Sequence, residues 1–313
     1  MQPEDAAQVQ ILFQEVFNQQ MSQDLWRWKY NQELAKATVV FQDGKLIAHY
    51  GGMGRKVSWK GKETQAVQIT DVMVASSSRH AVRSGSPFYL AFTEFARLFL
   101  GYDKIFPLAF GFPNKRVMRL AQLLGFYAPV GEMTEISWPA NKSISAALVS
   151  KRTLSTDNLD SYALQVDALW ERMKLSLHDK IVGVKNAAYI RRRYMEHPDR
   201  KYQVVLCQPM PGMQPLGLLV FRHDSAKSFL MDVIADVQQV PALLKIAGHI
   251  VNKHGNSQFY TWCSSSFSSI FITKGCSSTE LPITVPANIW TPGPEPEELL
   301  DLWWLMPGDT DFQ

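Results

Sequence analysis

The sequence predicts an α/β protein built as two lobes in tandem, and three observations carry that expectation. The chain has 313 residues, too many for one small core and enough for two domains of ~150 residues each. Its hydrophobic pattern switches repeatedly between a helical period and short strand-like runs. Three pieces of the first half also return, in order, in the second. Leu25-Trp26-Arg27-Trp28-Lys29-Tyr30 is echoed by Tyr189-Ile190-Arg191-Arg192-Arg193-Tyr194, the run around Asp71 by the run around Asp232, and Leu124-Gly125-Phe126 by Lys274-Gly275-Cys276. The offsets are 164, 161 and 150. Ordered matches at similar spacing are the mark of an internal repeat.

The first lobe opens with Val9, Leu12, Phe13, Val16 and Phe17 at helical spacing, and a second helix is expected over the segment from Leu25 to Tyr30. At helical spacing, Trp26, Trp28 and Tyr30 read as core. Thr38–Phe41 and Leu46–Tyr50 read as strands about an Asp43-Gly44 hairpin turn. Gly51-Gly52-Met53-Gly54 suggests a bulge or a close backbone approach. Val57–Trp59 and Ala66–Ile69 flank a further turn at Lys60-Gly61-Lys62, and Thr70–Val74 is expected as a fourth, buried strand. Ser86-Pro87 has the signature of a helix start, a polar cap followed by proline at the first helical position. That helix should run to about Leu100 and stop at Gly101. Ile105–Phe110 is a strand. Asn114 opens a helix that Gly125 closes in the left-handed conformation, and residues 126–138 return to strand.

Residues 141–160 are polar and weakly patterned, so they are expected to connect a first lobe at 1–140 to a second at 161–313. The second lobe repeats the order: a helix near 161–175, strands at Tyr202–Cys207, Leu216–Arg222 and Phe229–Ile234, a helix over Leu243–Lys253 and a strand at Phe259–Cys263.

Composition narrows the function. With 46% hydrophobic and 19% charged residues, the chain buries a core and is not a disordered segment. Thirty-two basic against 29 acidic residues give a net charge of +3, which points to neither nucleic acid nor an anionic membrane. The acidic start Met1-Gln2-Pro3-Glu4-Asp5 does not resemble a signal peptide, and no apolar run reaches membrane-spanning length. Cys207, Cys263 and Cys276 lack metal-ligand spacing, and their odd number suits free thiols in a cytoplasmic protein. His249 and His254, five apart, fall on different helix faces, so no metal site is expected.

Gly111-Phe112-Pro113-Asn114, followed eleven residues after Asn114 by Gly125-Phe126, resembles the later motif of the GNAT (Gcn5-related N-acetyltransferase) superfamily. The element order of the first lobe is similar to that fold. Tyr189–Tyr194 with His197-Pro198, and Trp303-Trp304 with Gly308-Asp309-Thr310-Asp311, resemble segments of two-lobed relatives. The resemblance implies two GNAT-like lobes, each a mixed, mainly antiparallel sheet flanked by helices. It implies acyl-CoA-dependent N-acyltransfer, with acetyl-CoA or another acyl-CoA as cosubstrate and a small or saccharide-linked amine as acceptor. A non-catalytic ligand-binding relative is the alternative. An aminoacyl transferase of Fem type is disfavoured by the near-neutral charge.

The resemblance places the pyrophosphate cradle after Val74. Arg79 matches the family's basic residue; Val82 and Ser84 stand where its glycines usually do. A short insertion would instead make Arg83, Ser84, Gly85 and Ser86 the cradle at the helix start. The backbone of Met73 and Val74 is expected to face the thioester carbonyl, and Asn114 to contact CoA while capping its own helix. Asp71 is the candidate general base, because a carboxylate inside an apolar strand needs an explanation; Asp232 is its counterpart. The family's usual tyrosine acid falls at Ala121, leaving Tyr127 or Tyr89 as candidate acids. The second lobe offers Ala235-Asp236-Val237-Gln238-Gln239-Val240-Pro241 at the cradle position, with an acid and no arginine. It is therefore expected to be a degenerate lobe.

Overall fold

The helical spacing at the start of the chain resolves into two helices in the computed structural model, which describes residues 1–78, 84–209 and 213–310. Helix α1 (Ala6–Phe17) buries Val9 and Leu12. Helix α2 (Gln23–Tyr30) is capped by Ser22, whose hydroxyl accepts from Leu25 N at 2.9 Å, and it buries Trp26, Lys29 and Tyr30. Strands β1 (Ala35–Gln42), β2 (Lys45–Trp59) and β3 (Lys62–Val74) follow as an antiparallel meander. Asp43-Gly44 and Lys60-Gly61 make its turns, all four residues having positive φ, as hairpins of matching twist require. The pieces expected at 46–50 with 57–59, and at 66–69 with 70–74, are each one continuous strand. The glycines at 51–54 do not interrupt β2. A Cβ at Gly52 would lie 2.5 Å from the Val67 side chain and 2.8 Å from the Phe95 ring, so the glycine admits neighbours instead of breaking the strand.

Helix α3 (Pro87–Phe99), strand β4 (Leu108–Phe110), helix α4 (Lys115–Leu123) and strand β5 (Tyr127–Pro139) complete the expected order. Gly125 has φ +70; its N–H reaches Gln122 O at 3.0 Å and Phe126 N–H reaches Ala121 O at 2.9 Å, the paired bonds of a Schellman cap.

Residues 141–160 hold more than a connection: helix α5 (Ile144–Ala147) and strand β6 (Ser150–Leu154) lie within them. Edge strand β6 is mostly solvent-facing, which hid it from a hydrophobic pattern. Then come helix α6 (Leu159–Ser176), strand β7 (Ile181–Gly183), helix α7 (Ala187–Ile190), strands β8 (Gln203–Gln208), β9 (Gly217–His223) and β10 (Ser228–Ile234), helix α8 (Val240–His254), and strands β11 (Gln258–Ser264), β12 (Ser277–Asn288) and β13 (Trp303–Trp304).

Two compact units result. Unit 1 comprises Met1–Lys56, Thr64–Val130 and Pro282–Leu300; unit 2 comprises Val57–Glu63, Gly131–Leu281 and Asp301–Gln313. In unit 1, β2 pairs antiparallel with β1, and β4 pairs parallel with β3. Both faces of this sheet are covered. Tyr50, Val67, Phe88, Phe92, Phe95 and Phe126 form a core with α3 and α4, while Val9, Leu12, Trp26, Tyr30 and Ile47 form another with α1 and α2. In unit 2 the sheet order is β5-β11-β10-β9-β8-β6, and one large core includes Leu169, Trp170, Phe221, Leu243, Phe259 and Trp304. The two units share a topology: a three-stranded antiparallel meander, a helix, then a strand parallel to the third (β3 with β4, β10 with β11).

At one corner of unit 2, His223 Nδ1 lies 2.7 Å from Ser228 Oγ and Nε2 lies 2.8 Å from Gln203 Oε1; the ring stacks on His254 at 3.9 Å. Burial, and then the charge of His254, lower the His223 pKa from 6.5 to about 4.

Two tests follow from these local arrangements. At Gly125 an added Cβ meets nothing, so Gly125→Ala isolates the conformational cost of the left-handed cap; it is expected to lose ~1–2 kcal/mol in urea unfolding. A histidine with a depressed folded-state pKa stabilises the fold fully above the unfolded value and loses that contribution as pH falls. Melting temperature should therefore drop between pH 6.5 and about pH 4, and His223→Gln should flatten that slope.

Candidate active site

The site in unit 1 is built where β3 and β4 separate. Their parallel pairing covers only Ala66↔Leu108, Val67↔Ala109 and Gln68↔Phe110. Strand β3 continues to Val74, while after Phe110 the chain leaves through Gly111-Phe112-Pro113-Asn114. Just beyond the separation, Asp71 has φ +47, a left-handed residue inside a strand. Such a conformation is costly for a non-glycine residue and needs support from its surroundings.

The surroundings supply it. Lys29 Nζ sits 2.7 and 2.9 Å from the two Asp71 carboxylate oxygens, and Tyr30 Oη donates to Oδ2 at 2.6 Å. The Lys29 and Asp71 side chains are 3% and 5% exposed, so the charges neutralise one another out of solvent. The Asp71 carbonyl accepts from His49 Nδ1 at 2.7 Å. That bond puts the proton on Nδ1 and leaves His49 Nε2 an acceptor, buried and without a hydrogen-bond partner among the described residues. Burial lowers the His49 pKa against the pull of the Asp71 charge, so the imidazole is neutral at pH 7. Gly51 makes room for this cluster: a Cβ there would lie 2.5 Å from Tyr30 Oη, 2.7 Å from His49 Cε1 and 2.9 Å from Thr70 O.

Unit 2 holds the parallel arrangement. Asp232 on β10 is fully buried, receives Lys185 Nζ at 2.8 Å and accepts from Tyr194 Oη at 2.7 Å. Lys185 also reaches Asp309 at 3.1 and 3.2 Å. Burial works against the Lys185 ammonium, but the charges of Asp232 and Asp309 outweigh it and hold its pKa above the ordinary value. The echo of Tyr30 by Tyr194 is thus structural, because each tyrosine hydroxyl holds the buried aspartate of its own unit. The echo of Lys29 by Arg193 is not. Arg193 instead binds Gly308 O at 2.9 Å and Thr310 O at 2.7 Å, and Lys185 answers the aspartate.

Asp71 was expected as a base; its oxygens are held by a lysine and a phenol, the arrangement of an anchored carboxylate. Tyr127, a candidate acid, lies in the aromatic core with its hydroxyl bonded to Tyr50 Oη and its ring against Phe92. Burial raises both phenols well above their usual range. Tyr89, the other candidate, stands in the first turn of α3 with its ring against Phe126 and Trp290. Ala121 is fully buried.

The backbone positions fare differently. Met73 is buried, and Val74 ends β3. Ala75 N–H binds Ile47 O on β2 at 2.8 Å; by strand alternation the Val74 N–H points away from β2. Arg79 and Arg83 lie outside the described residues. Ser84 and Gly85 are exposed, and Gly85 has φ +86. Ser86 is the α3 cap, its hydroxyl accepting from Tyr89 N at 3.3 Å, with Pro87 at the first position. Asn114 caps α4 through Oδ1, which accepts from Val117 N at 3.0 Å. Lys29 and Lys185 were missed by the sequence reading; a buried aspartate on each central strand was the signal that a cation had to be found. Among the described residues no three His, Cys, Asp or Glu side chains converge as a metal site, and no helix is long and apolar enough to cross a membrane.

Residues 1–84 match the family model of the acetyltransferase (GNAT) domain. No curated protein matches by sequence. Among solved structures, the chain is similar to a probable N-acyltransferase of unknown function from Enterococcus faecalis, with a TM-score of 0.68 and 11% identity over 93% of this chain and 72% of that one. A GCN5-related N-acetyltransferase from Anabaena variabilis gives 0.65 at 10% identity, over 92% and 71%. The N-myristoyltransferase of Saccharomyces cerevisiae, solved with bound myristoyl-CoA, gives 0.56 at 12% identity, over 95% and 83%. The chain therefore has the fold of GNAT-type acyltransferases, and its first 84 residues carry the acetyltransferase-domain signature.

Proposed function

We propose that unit 1 is an acyl-CoA-dependent N-acyltransferase site, using acetyl-CoA or another acyl-CoA to acylate a small or saccharide-linked amine. Unit 2 is read as a degenerate copy. One observation carries this reading: β3 and β4 pair at only three positions and then part, at the strand end that leads to the capped start of α3. Strands that part no longer pair along that edge, and a helix N-terminus such as the one β3 leads to favours an anion. The acyl-CoA brings a thioester, whose carbonyl carbon accepts the amine and whose thiolate leaves.

The residues fit such a cosubstrate at two points. Ser84, Gly85 and Ser86, with Arg79 and Arg83 of the adjoining segment, supply small side chains and cationic groups for a pyrophosphate at the start of α3. Asn114 occupies the start of α4, beside the exit from β4. The strand backbone at Met73 and Val74 would face the thioester carbonyl. Asp71 is read as an anchor that keeps this strand end in place, since Lys29 and Tyr30 both bind its carboxylate. The acceptor then enters as the free amine, and kcat/KM rises with pH until the acceptor's own ammonium has ionised.

A melting-temperature titration with acetyl-CoA tests the reading first. A ligand that binds only the folded state raises stability by RT ln(1 + [L]/Kd), about 2.7 kcal/mol at a hundredfold excess over Kd. A saturable rise is expected, and Arg79→Ala with Arg83→Ala should weaken it at least tenfold without lowering the unliganded melting temperature. No rise at about 1 mM acetyl-CoA would sink the proposal. Binding with no turnover across an amine panel would favour the non-catalytic reading, which the engaged Asp71 and the core position of Tyr127 support. Asp71→Asn separates anchor from base. As an anchor it leaves Lys29 buried without a counter-charge and costs ~3–5 kcal/mol in unfolding experiments, with turnover per folded molecule retained. Unchanged stability with turnover abolished would restore the base.

A further inference from the structure

Unit 2 carries a pocket at the edge of its sheet. It has a volume of about 440 Å³ and is walled by β6, β8 and the last turns of α8. That size suits a small molecule. Its polar groups are cationic or neutral: Lys151 and Thr153 from alternate positions of β6, Gln203 from β8, Lys253 and His254 from α8. None of its nine lining residues is an acid. Val205 and Ile250 give it an apolar floor.

Local contacts hold several of these groups in place. Lys151 Nζ donates to Ala146 O at 2.7 Å and also to Val149 O, which fixes the ammonium and leaves one of its protons unspent. The Gln203 amide oxygen accepts from His223 Nε2, and no acceptor among the described residues takes its amide nitrogen. His254 is held by its stack on His223. Lys253 and His254 sit where the carbonyl end of α8 favours cations, but that dipole does not account for Lys151 on a separate strand. His249, one turn before Lys253 on the same face, is buried, and neither ring nitrogen has a hydrogen-bond partner among the described residues. Burial, and then the charges of Lys151 and Lys253, keep it neutral. Positive charge is therefore gathered with no carboxylate lining the pocket to answer it, and an anion would relieve the repulsion.

We propose that this pocket binds a small phosphate-bearing molecule, its phosphate between Lys151, Lys253 and His254 and its apolar part on Val205 and Ile250. A phosphate monoester carries close to two negative charges at pH 7 and three acceptor oxygens, which match several donors from two elements better than a carboxylate does. This site does not depend on the acyltransfer reading.

Isothermal titration of the full chain at fixed ionic strength, with inorganic phosphate, phenyl phosphate and benzoate, tests it. Saturable binding of both phosphates is expected, tighter for phenyl phosphate, with benzoate at least tenfold weaker. Lys253 is exposed and in no ion pair among the described residues, so Lys253→Gln should leave the melting temperature unchanged, weaken phenyl phosphate at least tenfold and leave the acetyl-CoA response intact. Absence of saturable phosphate binding, benzoate equal to phenyl phosphate, or undiminished affinity in Lys253→Gln would overturn the assignment.

Discussion

A carboxylate placed inside a sheet must be answered by a cation, and both units are organised around that constraint. Leaving Asp71 or Asp232 unpaired would cost several kcal/mol in desolvation, a large part of the stability of an ordinary domain. Each is instead fastened by a lysine and a tyrosine hydroxyl brought from elsewhere in its unit. In unit 1 both partners come from α2, so the ion pair ties that helix to β3 at the residue where the strand turns left-handed. The kink, the absence of a side chain at Gly51 and the parting of β4 are parts of one arrangement.

In unit 2 the same constraint is met by different residues. Tyr194 repeats Tyr30, but the lysine is Lys185, and a second acid, Asp309, joins from the end of the chain. Gly308 must be glycine there, since a Cβ would collide with Tyr194 Oη and approach Asp232 at 3.2 Å. The final described segment is thereby drawn into the core: Arg193, almost fully buried, holds the carbonyls of Gly308 and Thr310. Closely packed charges of this kind fix a unique arrangement better than they add stability.

Elements with local signatures were legible in the sequence. The Ser86-Pro87 start, the Asn114 cap and the Gly125 close are set by one or two residues each, and they stand where the sequence places them. The long strands β2 and β3 were each read in two pieces: β2 around its glycines at 51–54, whose neighbours across the sheet the sequence does not show, and β3 beside Asp71, whose left-handed backbone interrupts no pairing that a sequence could reveal. Edge strand β6 was missed because hydrogen bonding to β8, not apolar burial, defines it. The site divided in the same way. The caps at Ser86 and Asn114 stand where the sequence places them, whereas the surroundings of Asp71 and Tyr127 depend on partners more than 40 residues away, Lys29 and Tyr50. Sequence spacing carries no information about such pairs.

The helix starts that follow the third strand of each unit show why acyl-CoA belongs with unit 1 in the function proposed here. Ser86 caps α3 with a neutral hydroxyl, and two arginines precede it. Before α8 the corresponding turn is capped by Asp236, whose carboxylate accepts from Gln238 N at 2.9 Å, while Val237 N–H is taken by Ser176 at 3.3 Å. There the protein's own anion stands where a pyrophosphate would have to sit. A like charge at that distance repels, and a donor already spent on Ser176 offers nothing in return. The two units share a topology, yet the sequence at this turn carries arginines in unit 1 and an acid in unit 2, and the acyl-CoA site proposed above is for that reason assigned to the loop between β3 and α3.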